Sequence, residues 1–178
     1  MIKFINETSE FLKNKGFLNP EIGIILGTGL GKLTNHIEII KEISYNHIPN
    51  FPSATVEFHK GKLIFGMLGG KKVIVMQGRF HLYEGYSLQD ITFPVRVMGV
   101  LGISSLLVSN ASGAINSNFR KGELMLIDDH INLQGNSPLA FKGVEAFGER
   151  FVDMSAPYNK TLNAIIEKNA KSLNIKLH

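Results

Sequence analysis

The 178-residue sequence has no cysteine, which excludes disulfides, thiolate catalysis and any cysteine-based zinc site, and which suits a reducing compartment. It has no apolar run near the ~18 residues that a membrane span needs. The N-terminus, MIKFINETSEF, mixes charge into its apolar residues, so the uninterrupted apolar stretch of a signal peptide is missing. Asn6-Glu7-Thr8 therefore has only the form of a glycosylation acceptor, and a cytoplasmic location is expected. No Lys/Arg run is long enough to track a nucleic-acid backbone: the formal charge is +4, but the basic residues are scattered. Neither nucleic acid nor a membrane is expected as a partner; an anionic small molecule is. Repeats, low-complexity tracts and linkers are also lacking. With 44% apolar residues, the length fits one domain over 1–178.

What the sequence does have is a dense polar stretch, Gln77–Tyr86, reading QGRFHLYEGY, directly after the apolar run Val73–Met76. Arg79 offers a planar, always-charged fork suited to oxyanions. His81, two residues on, lies on the same side of an extended backbone and can add a donor there. Two readings stand: an anion clamp, or a polar loop with one surface ion pair. A second glycine-rich turn, Gly27-Thr28-Gly29-Leu30-Gly31, follows the apolar run Ile22–Leu26. It is no dinucleotide fingerprint, because Lys32 stands where the third Gly or Ala belongs, and no Walker A loop, because Leu33 follows Gly-Lys. What remains is a turn with one hydroxyl, Thr28, and backbone amides able to meet an anion, or simply a chain reversal.

Around these turns the chain alternates helical and strand patterns. A helix is expected over roughly the first fifteen residues, and a buried strand at Ile22–Leu26 leading through the glycine turn into a short helix. His47–His59 reads as an irregular loop in which His59 is the candidate for chemistry. Leu63–Leu68 and Val73–Met76 form a hairpin through Gly69-Gly70. Ser87 caps a helix in which Pro94 is tolerable only in the first turn or at a kink. Leu106–Ser109 reads as a buried strand, Leu124–Ile127 as a further strand, Asn159–Ser172 as a helix, and Ile175–Leu177 as the start of another strand. Asp128, Asp129 and His130 could bind a metal, but adjacent carboxylates on a strand face opposite ways, which favours a supporting role. The pattern predicts an α/β fold with a mixed central sheet flanked by helices. Strand ends at Thr28, Arg79 and Ala111 are expected to converge on one anion.

Six segments together resemble the trimeric purine nucleoside phosphorylases, whose relatives include the methylthioadenosine phosphorylases. They are ILGTGLG (25–31), FPSATVEFHKGKLIFG (51–66), MQGRFHLYEGYSLQDITFPVRV (76–97), SNASGAIN (109–116), GELMLIDDHINL (122–133) and FGERFVDMSAPY (147–158). They keep the family's order over nearly all of residues 21–160. The resemblance implies phosphorolysis of purine (deoxy)ribonucleosides to free base and (deoxy)ribose 1-phosphate, in purine salvage, with no metal or organic cofactor. Phosphate is then a co-substrate, bound by Thr28 (where the family usually has Ser), His59, Arg79, Phe80, His81 and the Ala111 amide. Tyr83 would contact the ribose, and Phe151 would reach the neighbouring subunit's sugar pocket in a homotrimer. His81 and Glu84 would be catalytic, Glu84 ordering phosphate and sugar hydroxyls. The family's purine-binding Glu and Asn lie further along than His178, so the domain is expected to be incomplete and inactive alone. A phosphate-binding remnant without catalysis, a relative of the methylthioadenosine phosphorylase type and a small anion-binding module are the alternatives.

Overall fold

The apolar run at residues 73–76 is buried and sits at the middle of the fold, whereas the run expected to be buried at Leu106–Ser109 leaves Leu106, Leu107 and Val108 exposed. In the structure, a computed structural model that describes residues 1–52 and 61–178, five strands make one sheet. They are β1 (Ile22–Ile25), β2 (Glu38–Ser44), β3 (Lys62–Leu68), β4 (Lys71–Gln77) and β5 (Ser105–Val108), in the order β2-β3-β4-β1-β5. β1 is parallel to both β4 and β5, whereas β2, β3 and β4 run antiparallel, so the sheet is mixed as expected. The hairpin between β3 and β4 turns through Gly69 and Gly70, both at positive φ (56° and 76°), which a two-residue turn of the right twist requires.

Side-chain alternation sorts the core onto the two faces of the sheet. Ile74 and Met76 point to one face with Leu63 and Phe65; Val73 and Val75 point to the other with Ile24 and Ile64. The first face is covered by α1 (Ile2–Asn14), which buries Ile5 and Leu12, and by α2 (Leu88–Leu101), which buries Phe93, Val97, Met98 and Leu101. Each such fully buried side chain contributes roughly 1.5–3 kcal/mol. Ser87 opens α2 by accepting from the Asp90 amide, with the Asp90 carboxylate accepting from the Ser87 amide in return. Pro94 departs from expectation: it lies inside α2, in its second turn. It deprives the Asp90 carbonyl of its helical donor, and burial of the ring in the core offsets that loss.

β2 carries no signal that the sequence reading used. Ile39 and Ile40 are about half exposed, and the strand exists because it pairs with β3, with a register shift between Ile39 and Lys41. Charges guard this edge, and Lys62 reaches Glu42 at 2.7 Å.

The chain divides into two compact units, residues 1–111 with 141–147, and residues 112–140 with 148–178. The second contains α3 (Lys160–Ser172), capped by the Asn159 side chain, which accepts from the Leu162 amide. The strands expected at Leu124–Ile127 and Ile175–Leu177 reduce to one parallel bridge, Leu124 to Leu177, with bonds from the Leu126 amide to the His178 carbonyl and from the His178 amide to Leu124. Leu124 and Met125 are about half exposed, so neither run gains the two-sided burial that sustains β4. Glu123 fastens this bridge, accepting from Lys176, the Arg120 amide and the His178 ring at 2.7–2.8 Å.

Candidate functional site

Because β4, β1 and β5 are neighbours and parallel, their carboxyl ends open along one edge of the sheet, where ligands of α/β folds bind. A cavity of about 200 Å³ lies there. Gly27, Thr28 and Gly29 line it from the turn after β1, and Gly78, Arg79 and His81 from the turn after β4. At roughly 30 Å³ per water in the liquid, a tetrahedral oxyanion fits with waters to spare. Among the described lining residues Arg79 is the fixed charge and no carboxylate enters, so the site is electrostatically suited to an anion.

The Arg79 guanidinium is held before any ligand arrives. Nη1 donates to the Ser109 carbonyl at 2.5 Å and Nε donates to His81 Nε2 at 3.1 Å. These use two of its five N–H donors and fix the plane of the fork. An imidazole nitrogen that accepts carries no proton, so His81 bears its proton on Nδ1, 2.9 Å from Glu84 Oε2. The same carboxylate oxygen accepts from the His81 amide at 2.8 Å, closing the short 3₁₀ turn Leu82–Glu84. Thus Arg79 and His81 do share a side, yet the imidazole accepts where the sequence suggested a donor. Tyr83 stacks on the His81 ring at 4.8 Å between centroids while remaining 83% exposed.

The glycine turn is held differently from expectation. The Gly27 amide donates to Ser109 Oγ at 2.9 Å and the Leu30 amide to the Gly27 carbonyl at 3.2 Å, so neither is available to an anion. Gly27 must be glycine, since a Cβ there would stand 2.5 Å from the Ser109 carbonyl oxygen. Beneath the Arg79 turn, the buried Tyr45 hydroxyl donates to the Gly78 carbonyl at 2.7 Å. Tyr45 packs between Phe51 and Phe80, and burial pushes its phenol far above the ordinary tyrosine range.

The structure therefore brings Thr28, Arg79 and His81 to one cavity, with Glu84 behind His81. The Phe80 side chain turns away into the core against Tyr45 and Tyr86, which leaves only its backbone for a ligand. Ala111 is exposed and outside the cavity lining, and Phe151, in the second unit, is 88% exposed. His59 lies outside the described residues. Asp129 accepts from the His130 amide and His130 meets the Tyr158 hydroxyl at 2.6 Å. Among the described residues no three His, Asp or Glu side chains gather as a metal site, and no helix is long and apolar enough to cross a membrane. Ser109 and Tyr45 were missed by sequence reading. Ser109 stood within a quoted segment without a role, and nothing in the residues around Tyr45 signals that its hydroxyl reaches Gly78.

The chain is similar to known proteins over most of its length. The chain is 50% identical over 173 residues to purine nucleoside phosphorylase 1 of Bacillus subtilis, covering 97% of this chain and 64% of that protein. It is 48% identical over 158 residues to the purine nucleoside phosphorylase of Mus musculus, covering 87% and 55%. The structure of isoform 2 of purine nucleoside phosphorylase from Schistosoma mansoni, in complex with cytosine and ribose-1-phosphate, superposes with a TM-score of 0.93 at 41% identity, covering 99% of this chain and 64% of that one. The chain thus spans somewhat under two thirds of the length of these relatives. Since residues 21–178 also match the phosphorylase superfamily as a whole, the chain belongs to that superfamily and is similar over nearly all its length to purine nucleoside phosphorylases.

Proposed function

We propose that the chain carries the phosphate-binding part of a cytoplasmic, homotrimeric purine nucleoside phosphorylase, a pentosyltransferase of purine salvage. The observation that carries this reading is the meeting of Thr28, Arg79 and His81 on one cavity free of carboxylates, in a chain this similar to known purine nucleoside phosphorylases. In the reaction a phosphate oxygen forms a bond to C1′ as the C1′–N bond breaks. The electron pair goes to the purine, and the sugar becomes oxocarbenium-like between the two. Catalysis is then positioning and charge stabilisation: Arg79 and Thr28 hold the dianion against C1′, His81 steadies the Arg79 fork through its acceptor nitrogen, and the resemblance adds His59 and the Ala111 amide. Glu84 fixes the His81 ring that steadies Arg79, and no metal or organic cofactor is needed. The exposed Tyr83 serves the sugar, and the exposed Phe151 suits a reach into the pocket of a neighbouring copy.

The leaving purine also needs hydrogen-bond partners, and the described cavity supplies an anion seat alone. The 178-residue chain is therefore expected to bind phosphate while releasing little or no purine from inosine. A chain extended to the length of these relatives is expected to release purine only when phosphate is present. Purine release without phosphate would identify hydrolysis and sink the assignment.

A further inference from the structure

Ser109 stands where the three converging strand ends touch. Its amide and its hydroxyl both donate to the Ile25 carbonyl, at 3.1 and 3.2 Å. The same Oγ accepts from the Gly27 amide at 2.9 Å, and the Ser109 carbonyl accepts from Arg79 Nη1 at 2.5 Å. One residue at the end of β5 thus holds the last carbonyl of β1, the first amide of the glycine turn and the guanidinium that follows β4. The Gly27 Cα is pressed against it so closely that a Cβ would meet both the Ser109 carbonyl and Asn110 Cα within 3 Å. Ser109 does not itself line the cavity, so whatever it contributes passes through Gly27 and Arg79.

We propose that Ser109 is a positioning residue of the anion site: its hydroxyl sets where the Gly27–Gly29 turn, and with it Thr28, lies relative to Arg79. This rests on the phosphate reading of the cavity. The hydroxyl is suited to the task because it works in both directions at once, giving its proton to Ile25 and taking one from Gly27. Alanine would keep the carbonyl that holds Arg79 and the β5 backbone, but it would leave the Gly27 amide without its acceptor and the turn free to shift. Threonine keeps the hydroxyl. The contribution of Ser109 is therefore separable from that of Arg79 by a single oxygen atom.

The experiment titrates inorganic phosphate calorimetrically into the 178-residue chain, wild type and S109A, S109T and R79A, with a thermal melt of each. The expected result is about tenfold weaker binding for S109A, binding within about twofold of wild type for S109T, and none measurable for R79A. Binding by S109A as tight as wild type, even with a lowered melting temperature, overturns the positioning role and leaves the phosphate reading intact. S109T as weak as S109A overturns it too, and a wild type that does not bind overturns both. A second measurement needs no variant: the Gly27 amide in the wild type should be protected from hydrogen exchange, and exchange at the rate of an open loop would refute the clasp.

Discussion

Arg79 donates from Nε to His81 Nε2 at 3.1 Å, so two residues grouped in the sequence only by spacing are fastened to each other in the folded chain. The contact fixes the imidazole as an acceptor at Nε2, and Glu84 completes the chain by accepting from Nδ1. A ligand oxygen that enters the cavity can take the three N–H groups of the Arg79 fork that neither Ser109 nor His81 uses.

This arrangement predicts a spectroscopic signature. Nitrogen-15 NMR of the ligand-free chain should show His81 as the Nδ1–H tautomer. Glu84→Ala should weaken that preference, which the Arg79 donor then maintains alone, and weaken phosphate binding by about 1 kcal/mol, the net value of a hydrogen bond. An Nε2–H tautomer in the wild type would contradict the geometry of the site.

How much of this could be read from residues alone depends on whether the cause was local. The apolar run at 73–76, the glycine pair at 69–70 and the Ser87 cap each act within a few residues, and β4, the hairpin and α2 stand where the sequence puts them. Arg79 and His81 were legible for the same reason, since an extended backbone puts alternate side chains on one side. β2 was not legible, because its half-exposed Ile39 and Ile40 depend on pairing with β3 for their conformation. Nor were Tyr45 and Ser109, whose partners Gly78 and Gly27 lie 33 and 82 residues away in sequence. Leu124–Ile127 misled in the opposite direction: the run is apolar enough for a strand, but only Leu124 finds a bridge partner.

Tyr45 offers a second prediction, one of stability. Tyr45→Phe keeps the ring packing but removes the donor to the Gly78 carbonyl, which should cost about 1 kcal/mol in a urea melt. Burial raises the phenol's pKa in the folded chain, whereas the unfolded chain titrates near the ordinary value of about 10. Below about pH 10 the phenol is protonated in both states and contributes no pH dependence. Above it the unfolded chain loses a proton that the folded one keeps, so stability falls as pH rises. The Phe variant should show a shallower alkaline decline than wild type; equal slopes would mean that the hydroxyl is not held protonated in the core.

Glu123 predicts the acid limb for the second unit. Its hydrogen bond from Lys176, with those from the Arg120 amide and His178, holds its carboxyl down at about 2. A carboxylate depressed in the fold contributes stability above its unfolded pKa and loses it as pH falls through the folded value, here from about 4.5 down to about 2. Glu123→Gln should flatten that loss and, at neutral pH, loosen the Leu124–Leu177 bridge, read as faster exchange of the His178 and Leu126 amides. Unchanged acid sensitivity in the variant would place the responsible group elsewhere.

The most direct test of the central claim is calorimetric titration of inorganic phosphate into the 178-residue chain and its Arg79→Ala and Arg79→Lys variants. Arg79 reaches both the Ser109 carbonyl and His81 through separate nitrogens of a planar fork, and a lysine ammonium cannot reproduce that geometry. The wild type should bind one phosphate per cavity, Arg79→Ala should lose about 2 kcal/mol or more, and Arg79→Lys should recover only part of it. Phosphate binding of equal strength in all three proteins would contradict an anion site built on Arg79.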